Sequence, residues 1–134
     1  MIVWYVIFYV GLILMASSDW RTRSVPAALT DTWLVCMLAF SYVYAPKQTL
    51  AAVILALCLA LFALVTRGLG SADVIVLTGT VSIMGIIPAL LALLLACTTG
   101  IIHALLQKSP VIAFIPHLTF AVLCASVASL LNAF

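Results

Sequence analysis

"SSDWRTRSVPAALT" (residues 17–30) sets Asp19, Arg21 and Arg23 side by side and follows them with Pro26. Residues 1–16 before it carry no charge, and residues 32–46 after it carry none. A short charged segment ending in proline between two apolar runs has the form of a loop joining two membrane-spanning helices. The whole chain repeats that form. It has 134 residues, of which 68% are hydrophobic and 6% charged, so a soluble domain is excluded. A span takes about 20 apolar residues, which gives room for roughly six spans and little else. We therefore expect an all-α, polytopic membrane protein of about six transmembrane helices, with residues 1–134 forming a single domain. A net charge of +2, dispersed along the chain, offers no footprint for nucleic acid.

The expected spans are about 2–18, 27–45, 49–66, 73–87, 89–107 and 111–133. Pro26 suits the first turn of a helix, where its missing N–H has no partner to lose. "APKQ" (45–48) is a charged turn, "RGLGSAD" (67–73) is glycine-rich and polar, and "QKSP" (107–110) closes the fifth run. The faintest break is "MGIIP" (84–88). Residues 73–107 as one helix would be about 52 Å long, well beyond a hydrocarbon core of about 30 Å. A break between Gly85 and Pro88 is therefore expected, with a short fourth span.

Residues 1–18 resemble a signal peptide in apolarity, but the basic residues follow the run instead of preceding it. An uncleaved first span with its N-terminus outside is expected. Arg21, Arg23, Arg67 and Lys108 then lie on the inner side, and only Lys47 lies outside, as positive-inside orientation requires. This places Asp19 and Asp73 on the same, cytoplasmic, side. Cys36, Cys58, Cys97 and Cys124 stand singly in apolar runs and read as buried free thiols acting as small hydrophobes. No cysteine or histidine pair has metal-ligand spacing. His103 and His117 read as hydrogen-bonded structural histidines.

An acid at or within a membrane span is costly and calls for a partner. Asp31, beside Thr30 early in the second run, reads as a helix-dipole or capping acid. Asp19 and Asp73 end and begin their runs, and each is the natural partner of the other. Two carboxylates held close do not both ionise easily, so one keeps a proton near neutral pH. Such a pair holds a base for water and an acid for a peptide carbonyl, which is aspartic-protease chemistry. Gly68 and Gly70 would let a substrate strand approach closely, Ala72 keeps the approach narrow, and Pro26 fixes the chain after Asp19. Two plainer readings stand beside this one. Asp73 also reads as a helix N-cap, and Asp19 as an interfacial acid balancing Arg21 or Arg23.

These residues resemble a known family. "DWRTRSVPAALT" (19–30) is similar to the first signature of type IV prepilin peptidases, with Asp19, Arg21, Arg23, Val25, Pro26, Leu29 and Thr30 in register. Ala27 replaces the usual Asn or Asp. "GSADVIVL" (70–77) resembles the family's Gly-x-Gly-Asp signature, with Ala72 for the second glycine and Ile75 where a lysine often follows. "IAFIPHLTFA" (112–121) resembles a weaker proline-and-phenylalanine motif through Phe114 and Pro116. The resemblance implies catalytic roles for Asp19 and Asp73, supported by Pro26, Gly68, Gly70 and Ala72. It implies a multi-pass protein of the inner (cytoplasmic) membrane whose substrate is a prepilin or pseudopilin. The chain carries none of the paired CxxC motifs of the larger members. A cleavage-only peptidase with no metal and no cofactor is therefore implied.

Two other classes remain open at this stage. A small proton-coupled transporter or channel subunit would use the aspartates as a proton path. A catalytically inactive assembly factor would keep the peptidase fold without the chemistry.

Overall fold

The computed structural model describes residues 2–66, 69–108 and 112–131, with side chains described as far as residue 128. Among the described residues the chain is all-helical: α1 (Ile2–Thr22), α2 (Ala27–Tyr44), α3 (Pro46–Thr66), α4 (Ser71–Met84), α5 (Ile86–Gln107) and α6 (Phe114–Leu131). Four of them, α1, α2, α3 and α5, have the length and apolar composition to cross a membrane, while α4 and α6 are shorter apolar helices. Large apolar side chains such as Leu64, Val65 and Leu106 stand exposed on the outside, as a protein solvated by lipid requires. This is a membrane protein.

The helix ends have local causes. Helix α1 runs four residues beyond the expected end at residue 18 and stops at Arg23, whose φ of 52° is left-handed. The Arg23 N–H still reaches back to the Asp19 carbonyl at 2.8 Å. Hydroxyls of Ser18 and Thr22 then hold the Ser24 carbonyl at 3.0 and 2.9 Å and fold the loop back. Pro26 precedes α2 instead of sitting in its first turn: its ψ of 125° is extended, and its carbonyl accepts the first helical bonds from Leu29 and Thr30. The expected break after α4 is present at Gly85, whose φ of 85° is open to glycine and strained for other residues. Pro88 then lies in the first turn of α5.

Helix α4 is the centre of the bundle. It packs on α2, α3, α5 and α6, and every residue from Val76 to Ser82 is buried. Its buried hydroxyls are satisfied within the helix: Thr78 donates to the Val74 carbonyl, Thr80 to Val76 and Ser82 to Gly79, at 2.7–2.8 Å. In a medium without water this is the local way to bury a hydroxyl. Helix α1 closes the bundle against α6 and α2. Phe8, Leu12, Met15 and Asp19 form its inward stripe, at the 3–4 residue spacing of one helix face.

The cysteines correct one expectation. Cys36 is half-buried, and Cys58, Cys97 and Cys124 are exposed. An apolar thiol is as well solvated by acyl chains as by a protein core, so burial was the wrong inference in a bilayer. The histidines do hydrogen-bond, and they do so with each other: His103 Nδ1 and His117 Nε2 are 2.9 Å apart and join α5 to α6. Replacing either with alanine should cost about 1 kcal/mol, or about 4 °C in the unfolding midpoint in detergent. The double variant should be no worse than the worse single one, because one bond is lost once.

Candidate active site

Asp19 sits in the last turn of α1 at the bottom of its inward stripe, and it is buried, with 9% of its surface exposed. Trp20, Arg21 and Arg23 next to it are exposed. The charged cluster of residues 19–23 is thus split by helix geometry, the acid facing in and the bases facing out. Neither arginine acts on the Asp19 carboxylate; its specific partner is the backbone N–H of Ile115, which donates to Oδ2 at 3.1 Å. Ile115 is the second residue of α6, so this N–H is one of the donors that a helix leaves unpaired at its start. Asp19 caps α6 from another helix, and the positive end of the helix dipole favours a carboxylate there.

Asp73 is the third residue of α4 and half-buried. The N-cap position belongs to Gly70, not to Asp73. The Asp73 carboxylate accepts from the Gly70 backbone N–H, which is the reach-back half of a capping box. It also lies within electrostatic reach of Asp19. The structure therefore brings together the two acids that the sequence set fifty-four positions apart, at the shared end of α1, α4 and α6. Asp31 stays apart: it is exposed and lies beyond the first turn of α2, so it does not serve as a cap.

The supporting residues have more specific roles than the sequence suggested. Gly70 adopts φ −71° and ψ 146°, which any residue reaches, so its backbone freedom is unused. What it supplies is room. A Cβ there would stand 3.1 Å from Asp73 Oδ2. We expect Gly70→Ala to displace that carboxylate by a few tenths of an ångström and lower the turnover of the site about tenfold. Unchanged turnover at normal protein levels would show that the room is not needed. Ala72 lies inside α4, outside the left-handed region, and packs on the core. Its methyl therefore takes no needed freedom from the backbone. Gly68 and Arg67 lie outside the described residues.

A cavity of about 80 Å³ lies on the outward side of the end of α1, lined by Trp20, Arg23, His103, Gln107, Ile112 and Ala113, and neither aspartate lines it. Trp20 stacks on His103 with ring centroids 5.9 Å apart. Among the described residues, no group of three or more His, Cys, Asp or Glu side chains is arranged to hold a metal ion. The Ile115 N–H was missed by reading side chains alone. Its only signal was the stretch 112–121, where Phe114 and Pro116 mark the start of α6.

The family model of the type IV leader peptidases matches residues 6–105, which takes in both aspartates. No curated protein matches the chain. No solved structure matches it either.

Proposed function

This chain belongs to the type IV leader peptidase family, and we propose that it is a membrane-embedded aspartic endopeptidase that removes the leader of a prepilin or pseudopilin. The observation that carries this reading is that the Asp19 and Asp73 carboxyls, from different helices, lie within electrostatic reach of each other at one end of an apolar bundle. Facing carboxylates share a proton and titrate as a pair. The ionised member takes a proton from water as its oxygen attacks the scissile carbonyl carbon. The protonated member gives its proton to the carbonyl oxygen, forming a tetrahedral diol. Collapse of the diol breaks the C–N bond: one diol hydroxyl returns its proton to the second carboxylate as the C=O re-forms, and the proton held by the first carboxyl passes to the leaving nitrogen. The Ile115 N–H fixes one oxygen of Asp19 and leaves the other for water and the facing carboxyl.

The end that holds the pair also carries Arg21, Arg23 and Lys108, while Lys47 lies at the other end. We read the first as the cytoplasmic face of the inner membrane. A substrate with a basic leader and an apolar helix would lie with its helix in the bilayer and its junction across the aspartates. The basic side chains would repel such a leader, so their role is topological.

The test is co-expression with a prepilin from the same genome, following the mobility shift on cleavage and the mass of the mature N-terminus. Cleavage after the leader is expected. A well-expressed chain that cleaves nothing would overturn the proteolytic reading in favour of a non-catalytic assembly role.

A further inference from the structure

Trp33, in the middle of α2, is 5% exposed, and its Nε1 is buried without a hydrogen-bond partner among the described residues. An unpaired buried N–H is a cost, so this position is explained by shape, not by polarity. Both edges of the indole rest on glycine. A Cβ on Gly11 of α1 would lie 2.2 Å from Cδ1 and 2.3 Å from Nε1. One on Gly79 of α4 would lie 2.3 Å from Cζ3 and 2.5 Å from Cη2. Neither glycine has a positive φ, so what each contributes is close approach.

Of the two helices that carry the aspartates, α1 packs chiefly on α6 and α2 and α4 chiefly on α3 and α2, so α2 is the main neighbour they share. The indole spans the gap between them, its five-membered ring against α1 and its six-membered ring against α4. Phe8 stacks on it at 5.7 Å. Gly11 lies about 12 Å along α1 from Asp19, and Gly79 about 9 Å along α4 from Asp73. Both glycines lie on the same side of the carboxyl pair, so a change in thickness at Trp33 tilts one helix relative to the other and moves the carboxyls.

We propose that Trp33 is a positioning residue, a spacer between Gly11 and Gly79 that sets the separation of α1 and α4 and so of the Asp19 and Asp73 carboxyls. Its catalytic consequence rests on the proteolytic reading; the spacing itself does not.

The spacing is measured without catalysis in a chain whose four native cysteines are replaced by alanine and which carries Asp19→Cys and Asp73→Cys. The readout is the rate of oxidant-driven disulfide formation in membranes. Gly79→Ala is expected to slow it at least tenfold. In the otherwise native chain the same change should lower kcat for leader cleavage at least tenfold with KM within twofold. Trp33→Phe removes the outer ring atoms that the Gly79 methyl would meet, and should restore both readouts in Gly79→Ala. It keeps the ring atoms beside Gly11 and should not rescue Gly11→Ala. Unchanged cross-linking in Gly79→Ala, or equal rescue of both glycine variants, would overturn the proposal. If Gly79→Ala does not accumulate, the Gly79→Ala/Trp33→Phe pair decides: recovery of protein and cross-linking supports the spacer, and continued absence overturns it. Cross-linking that follows the expected pattern in a chain that cleaves no leader would leave the spacer standing and remove the protease.

Discussion

Asp19→Asn and Asp73→Asn are each expected to lower leader cleavage at least about 1,000-fold, the order expected when a group essential to proton transfer is lost. The substitution isolates chemistry from folding at both positions. An asparagine carbonyl at position 19 can still accept the Ile115 N–H, and one at position 73 can still accept the Gly70 N–H. The caps of α6 and α4 survive while the titrating oxygen is lost. The double variant should be no slower than the slower single one, because groups that act as a unit are not additive. Protein levels, the mobility shift of a co-expressed prepilin and the mass of its N-terminus check this together. Cleavage that survives both changes would assign the reaction to other residues. Glutamate at either position is expected to fail as well, since the longer carboxylate misplaces the reacting oxygen. Retained function with glutamate at both would favour a proton path over a protease.

Removal of α6 carries the second large effect. A chain of residues 1–113 keeps the whole family match, residues 6–105, yet it should cleave nothing. It would lack the Ile115 N–H that holds Asp19 and the buried side chains of Ile115, Leu118, Ala121 and Val122. In a bilayer these side chains gain little by leaving lipid, so their contribution is close packing with α5 and α1. The hydrogen bond matters more there than in water, because Asp19 would otherwise face an apolar surface without its donor. Co-expressing residues 114–134 as a separate segment should restore cleavage, since the described residues of the two pieces meet through such contacts. Full activity of 1–113 alone would mean that the Ile115 N–H on Asp19 is dispensable. Failure of the two segments to complement, with both present in the membrane, would mean that the linking residues 108–113 do more than connect.

The sequence alone determined what depends on local chemistry. Run length against bilayer thickness set six helices; glycine and proline set the break at Gly85; lone charges marked the loops. Two aspartates at helix ends on one side of the membrane were enough to nominate a site. Which way a helix faces was not legible, because lipid and protein interior are both apolar and the usual contrast between buried and exposed positions is missing. That is why the cysteines were read as buried, and why the 8–12–15–19 stripe that turns Asp19 inward did not stand out from its apolar neighbours. Packing alone decided the rest: the N–H that α6 supplies to Asp19 from ninety-six residues away, the room that Gly70 leaves beside Asp73, and the indole between Gly11 and Gly79. These are contacts between surfaces that no local pattern encodes, and they form only when the helices have closed on one another.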